Sequence, residues 1–389
     1  MIDYSKINPV AHSLPPSGIR KFFDIVSEMK DAISLGVGEP DFVTPWAIRE
    51  AGIYSLEKGH TYYTSNSGLL ELRQEICAYG KRRFSLDYDA ARETLITVGG
   101  SEAIDLMIRA VVQEGDEVLI PEPSFVCYRP CSVMAGAKAV GIVTEEKDQF
   151  KLTAQKLAAA ITDKTKLLIL PFPNNPTGAV MERSDLEAIA DVLRKTNIFV
   201  LSDEIYAELT YGENHVSFAT IKGMRGRTVT VNGFSKAFAM TGWRLGYAQG
   251  PEEIISIMTK LHQYAIMCAP TTSQFAAIEA MRNCDEDVAA MRTEYNYRRR
   301  VMLKGFREMG LSCFEPRGAF YMFPNITSTN LTSEQFASEL LNSQKVAVVP
   351  GTAFGESGAG FIRCSYAYSI ENIEEALSRI AKFVAQRRK

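Results

Sequence analysis

Between Thr44 and about Arg282, short apolar runs alternate with stretches of helical period, and this alternation limits the available folds more than any other feature. Six runs read as strands: Thr94–Val98, Glu117–Ile120, Ala137–Val143, Lys166–Phe172, Ile198–Ser202 and Thr228–Val231. Between them, stretches such as Glu102–Gln113 and Arg183–Lys195 carry apolar residues at helical spacing. Strands separated by helices of this length predict a largely parallel sheet with helices on both faces.

After about Leu311 the pattern changes. Short strands at Ala319–Phe323, Val346–Val349 and Phe361–Ser365 mix with helices at Thr332–Ser343 and Ile370–Arg387, which reads as a smaller α+β unit. Met281–Arg307 reads as one long charged helix between the two parts. Ahead of Thr44, Leu14-Pro15-Pro16-Ser17-Gly18 breaks regular structure. A short helix is expected from Ile19 to about Met29, then a brief strand over Ala32–Leu35 and a turn at Gly36–Pro40. The expected organisation is an arm over 1–43 joining the small domain, a large domain over 44–282 and a small domain over 283–389. A chain of 389 residues suits two domains better than one core.

A formal charge of −3 with scattered Lys and Arg argues against nucleic-acid and membrane-surface partners. The seven cysteines are odd in number and irregularly spaced, with no CxxC, so free thiols in a reducing cytosol are expected. His12, His60, His215 and His262 lie far apart and form no metal-ligand pattern. With no signal peptide or membrane-length apolar run, a cytoplasmic location is expected.

Three of the predicted strands lead to a polar residue at the C-terminal end: Asn175, Asp203 and Lys236. In open α/β sheets that edge is where ligands bind. Lys236 stands in the string NGFSKAFAMTGWRLG, between a small-residue turn and a Gly-Trp-Arg run, a poor setting for a merely solvated lysine. A lysine amine attacks an aldehyde cofactor to form a Schiff base. Asp203 ends an apolar strand, so its carboxylate needs a partner. Two roles are open to it: capping the N-terminus of a helix from Glu204 onward, or holding a protonated ring nitrogen. Tyr206, three residues on, favours the second, since its hydroxyl and Asn175 suit the phenolic oxygen of the same ring. These groups together suggest pyridoxal phosphate, an electron sink when its ring nitrogen is protonated.

Gly99-Gly100-Ser101 follows a strand and opens a helix, where free N–H groups bind phosphate. Ser235 and Arg244 add a hydroxyl and a planar cation for the same anion. Phe125 reads equally as a ring-stacking residue and as a core aromatic. Arg363, inside the apolar string Phe361–Ser365, needs an anion: a substrate carboxylate or an internal salt bridge.

Asn175-Pro176-Thr177-Gly178, Ser202-Asp203-Glu204-Ile205-Tyr206, Ser235-Lys236 and Gly242-Trp243-Arg244-Leu245-Gly246, in this order and spacing, resemble class I/II aminotransferases of pyridoxal-phosphate fold type I. The resemblance runs from Ser17-Gly18-Ile19-Arg20 to the C-terminal helix. It is nearest the bacterial and archaeal branch with alanine, aspartate, aromatic and N-acetyl-diaminopimelate aminotransferases. It implies a large domain with a mostly parallel seven-stranded sheet flanked by helices, plus a smaller α+β domain. It implies Lys236 as the Schiff-base and proton-carrying lysine, Asp203 at the ring nitrogen, and Asn175 and Tyr206 at the phenolic oxygen. It places Gly100, Ser101, Ser235 and Arg244 on the phosphate, with Phe125 stacked on the ring. Arg363 would take the α-carboxylate, with Gly38 and Asn175 lining the substrate side. Tyr63 matches a tyrosine that reaches the phosphate of the neighbouring subunit, so a homodimer with shared sites is implied.

The expected reaction is transfer of an amino group from an L-amino acid to a 2-oxo acid, with pyridoxal and pyridoxamine forms alternating in a ping-pong cycle. Ser101 stands where some aspartate-selective relatives carry a lysine, and no arginine matching a partner-subunit arginine occurs near His262–Ser273. Both points favour a neutral donor, such as alanine or an aromatic residue, with 2-oxoglutarate and glutamate as the other pair. Arg20 is either a distal-carboxylate partner for glutamate or a surface charge. The alternatives are a carbon–sulfur β-lyase of the same fold and an aspartate-selective aminotransferase.

Overall fold

The structure, a computed structural model, describes residues 7–16 and 31–387. The helix expected over Ile19–Met29, and with it Arg20, lies outside the described residues.

Seven strands form the main sheet: β2 (Thr94–Thr97), β3 (Glu117–Glu122), β4 (Lys138–Val143), β5 (Thr165–Leu170), β6 (Phe199–Asp203), β7 (Thr228–Gly233) and β8 (Gly246–Gln249). Their order is β2-β8-β7-β6-β5-β3-β4, with β8 antiparallel to both neighbours and every other pair parallel. β8 has no counterpart among the six predicted strands. It is four residues long and sits in a glycine-bounded string too short to show a period.

Both faces of the sheet are covered, as parallel strands require. Along β5 the side chains alternate between two cores. Leu167 and Ile169 pack with Ile104 and Met107 of the helix Gly100–Val111, and Leu168 and Leu170 with Leu186 and Ile189 of the helix Arg183–Leu193. All four are essentially inaccessible, each stabilising the fold by about 1.5–3 kcal/mol. Ile169→Asp would place an unpaired carboxylate between strand and helix and break this layer.

The expected helix over Met281–Arg307 is two helices, Thr271–Asn283 and Asp285–Glu308. Cys284, with φ −107° and ψ 22°, breaks the run. Asp285, Glu286 and Asp287 then occupy the first turn of the second helix, where the helix dipole favours negative charge.

The strand predicted over Val346–Val349 is likewise divided. β10 (Val346–Ala347) pairs in parallel with β1 (Ile33–Ser34), whereas β11 (Val349–Pro350) joins a three-stranded antiparallel sheet, β11-β12-β9, with β12 (Ile362–Ser365) and β9 (Tyr321–Met322). The helix Ile370–Arg387 matches its expected bounds, and Ser333–Gln344 starts after a capping box made by Thr332 and Gln335. These elements share a core with Tyr295, Phe306 and Phe320. No helix among the described residues is long and apolar enough to cross a membrane.

Candidate active site

Three neighbouring parallel strands end together. Leu170 of β5 registers with Ser202 of β6, and Asp203 of β6 with Val231 of β7. The chain beyond β5 reaches Asn175, β6 ends at Asp203 itself, and β7 leads through Gly233 to Ser235 and Lys236. Of the twelve predicted site residues, all but Tyr63 line one cavity of about 340 Å³.

At the floor, Asp203 is buried with both oxygens engaged. Tyr128 Oη donates to Oδ2 at 2.6 Å and the Ile205 N–H to Oδ1 at 3.2 Å. The helix expected from Glu204 onward does not form: the bond from Ile205 caps only a turn, and the carboxylate also faces the cavity. Burial pushes the carboxyl up to about 6, against the two donors. Lys236 Nζ donates to the Gly38 carbonyl at 2.6 Å and lies 5.8 Å from the Phe320 ring centroid. Burial, and then the charge of Arg363, lower its ammonium to about 8.

Gly99 caps the helix Gly100–Val111 with φ +80°, a conformation that favours glycine. A Cβ there would sit 2.7 Å from Arg244 Nη2, so the guanidinium lies against the turn. From the other side, a Cβ on Gly246 would come within 2.7 Å of Gly100 N. Arg244 itself has φ +52° and donates from Nη1 to the Thr241 carbonyl at 2.9 Å. Helix N-terminus, Arg244 and the buried Ser235 together form an anion cradle.

Across the cavity stands Arg363, only 1% exposed. Nη1 donates to Asn175 Oδ1 at 2.9 Å and Nη2 to the Gly36 carbonyl. Its face lies 4.4 Å from the Tyr321 ring centroid and 4.8 Å from that of Phe354. These partners are neutral, which removes the internal-salt-bridge reading and leaves a buried cation facing the cavity. Tyr206 and Tyr321 share a 2.7 Å hydrogen bond between hydroxyls. Phe125 is half-buried, edge-on to Tyr128 at 5.8 Å and 82°. Tyr63 is 79% exposed and outside the cavity of its own chain.

Sequence reasoning missed Glu39, Ile205 and Thr241, which also line the cavity. Thr241 Oγ1 donates to the Glu39 carboxylate at 3.2 Å, although 202 residues separate them. For Thr241 a signal existed, its place just before Arg244; for Glu39 none did. The bond from Tyr128 to Asp203 joins positions 75 residues apart and has no local signature. Among the described residues no His, Cys, Asp and Glu cluster could hold a metal ion.

The family model described as aminotransferase class I and II matches residues 30–380. The Bacillus subtilis protein YugH is 52% identical over 380 residues, covering 98% of each chain. An aspartate aminotransferase of Pyrococcus abyssi is 45% identical over 376 residues, covering 96% of this chain and 97% of its own. Among solved structures, an aromatic aminotransferase from Pyrococcus horikoshii superposes with a TM-score of 0.91 at 44% identity, covering 94% of this chain and 99% of its own.

Proposed function

This chain belongs to the class I and II aminotransferases, a pyridoxal-phosphate-dependent family, and we propose that its amino donor is a neutral L-amino acid such as alanine or an aromatic residue. The acceptor in this proposal is 2-oxoglutarate, and the two half-reactions alternate in a ping-pong cycle.

The cavity fits the cofactor. A buried carboxylate stands at its floor, an amine beside it, and an anion cradle at a helix N-terminus where a single Cβ on Gly99 would strike Arg244. In the proposed assignment Gly100, Ser101, Ser235 and Arg244 hold the phosphate, Asp203 the ring nitrogen, Asn175 and Tyr206 the phenolic oxygen, and Phe125 a ring face. Bound there, pyridoxal phosphate supplies an electron sink for the charge that develops on the substrate's α-carbon. Lys236 supplies the attaching amine. Its free amine would take the proton at the substrate's α-carbon, a task suited to an amine lowered to about 8. Arg363 takes the α-carboxylate through its paired donors, exchanging the Asn175 and Gly36 oxygens for the anion. Gly38 keeps that side open, since a Cβ there would lie 2.7 Å from the Tyr321 hydroxyl.

One observation carries the choice of donor. Among the described lining residues the cations are Lys236, Arg244 and Arg363, each already committed, and the remaining charges are the carboxylates of Asp203 and Glu39. A donor side-chain carboxylate finds no free cation there. The test is kcat/KM for alanine, phenylalanine, aspartate and glutamate, with product amino acid and ammonia both quantified. Alanine or phenylalanine should exceed aspartate by at least about tenfold; a lead for aspartate overturns the proposal.

Two further parts of the proposal concern assembly. A homodimer with shared sites is supported by exposed Trp46, Tyr54, Tyr62, Tyr63 and Tyr264, and by a loop held outward through Asn66 to the Met267 carbonyl and Thr271 to the Tyr62 carbonyl. The division into an arm over 1–43 and domains over 44–282 and 283–389 is supported by the pairing of β1 with β10 and by the break at Cys284. The seven free cysteines support a cytoplasmic location.

A further inference from the structure

Directly behind the anion cradle lies a carboxylate, Glu102, in the first turn of the helix that opens at Gly100. Its sign is wrong for a site that receives a phosphate, because two anions at one helix N-terminus repel each other. Both oxygens are nevertheless engaged away from the cavity. Oε2 accepts the Val98 N–H, at the point where β2 gives way to the Gly99–Ser101 turn. Oε1 lies 2.7 Å from Nδ1 of His262, which belongs to the helix Glu252–Ala265 and is fully buried. His262 Nε2 has no partner among the described residues. An imidazole with its proton on Nδ1 suits this setting, since it donates to the carboxylate and leaves only a lone pair unpaired.

We propose that His262 is a positioning residue for the phosphate cradle: it holds Glu102 in the rotamer that tethers Val98 N–H, and so fixes the turn whose N–H groups receive the phosphate. The inference rests on the phosphate assignment proposed above for Gly100 and Ser101. On the other side of the turn, Thr97 Oγ1 donates to the Gly99 carbonyl at 2.9 Å, and β8 packs against it from Gly246. The Val98 N–H is the point that depends on Glu102. Without His262, Glu102 is a half-buried carboxylate with one donor missing; it turns toward solvent or toward the cradle, and either movement costs phosphate affinity. His262 also carries the loop after its helix, since its carbonyl accepts the N–H groups of Ile266 and Met267. A substitution that changes only the side chain leaves those bonds in place.

The test titrates apoprotein with pyridoxal phosphate and, separately, with pyridoxal, which lacks the phosphate, following the absorbance of the bound chromophore. His262→Leu should weaken pyridoxal phosphate by about tenfold and pyridoxal by less than about twofold. His262→Asn, whose amide nitrogen replaces Nδ1 as donor, should recover most of the loss. If His262→Leu does not fold, Glu102→Ala decides, since it removes the same tether from a helix position that accepts alanine. It should show the same selective loss. Equal weakening of both ligands, or an asparagine variant as impaired as the leucine one, overturns the proposal. If the unsubstituted apoprotein binds pyridoxal as tightly as pyridoxal phosphate, the phosphate assignment itself fails, and the inference with it.

Discussion

The two walls of the cavity are built differently. The wall assigned to the cofactor consists of the ends of β5, β6 and β7, central strands of one seven-stranded sheet with both faces covered. Asp203 is itself the last residue of its strand and is held from both oxygens. The wall assigned to substrate comes from strands of two to four residues in separate small sheets, and from the Gly36–Gly38 segment that follows β1. Its cation, Arg363, is held by oxygens that it can give up: a side-chain amide and a backbone carbonyl. Even Lys236 bonds across the gap to Gly38. A rigid wall suits a group that stays bound, and a wall with exchangeable partners suits a ligand that enters and leaves every half-cycle. The comparison teaches that cofactor retention and substrate affinity should be separable by mutation.

The largest effect expected is at the junction of the two walls. Lys236→Ala should lower kcat by about 10⁴-fold or more and abolish the visible absorbance of the attached cofactor, because no other amine lines the cavity among the described residues. Retention of most of the activity would break the comparison at its centre. Arg363→Ala comes next: KM for the amino donor should rise about 100-fold, while the dissociation constant of pyridoxal phosphate changes less than about threefold. A parallel loss of cofactor affinity would show that the walls are not independent. The pH dependence of cofactor attachment is smaller. With Lys236 lowered to about 8, the free amine is the minor form at pH 7 and the major form at pH 9. The attachment rate of apoprotein should therefore rise about tenfold across that interval and level off above it. An ordinary lysine would still be rising steeply at pH 9.

The same contrast governs what could be read in the sequence. All six predicted strands overlap observed ones through their apolar runs, and Ala137–Val143 matches β4 almost end to end; the polar residues that three of them lead to were legible because chemistry there is local to each strand end. β8 escaped because four residues carry no period, and Cys284 because nothing in its side chain announces a break in a helix that continues on both sides. On the substrate wall the short strands were found, yet their pairing was not. Val346–Val349 reads as one unit although its two halves belong to different sheets. The contacts that escaped altogether join distant positions: Tyr128 to Asp203, Glu39 to Thr241, and Glu102 to His262, which are 75, 202 and 160 residues apart. Each is a hydrogen bond made by tertiary packing, so neither spacing nor composition records it. His262 was set aside with the other histidines because no metal pattern surrounds it, and a buried pair with one carboxylate leaves no motif.

The smallest expected effect probes the rigid wall without altering its shape. Tyr128→Phe keeps the ring, and with it the edge-on contact to Phe125, and removes only the O–H that donates to Asp203 Oδ2. That donor favours the carboxylate over the acid, so its loss leaves burial less opposed and moves the Asp203 carboxyl further above about 6. A carboxyl raised in the folded state is ionised only above its shifted value. The variant must therefore reach a higher pH before Asp203 can hold a ring-nitrogen proton by charge. The acid limb of kcat/KM should shift toward neutral pH, with activity about fivefold below the unsubstituted enzyme near pH 6 and within about twofold above pH 8. A deficit of equal size at every pH would mean that Tyr128 only fills space beside Asp203. A deficit confined to KM for the amino donor would mean that this residue belongs functionally to the substrate wall, although it is anchored on the other one.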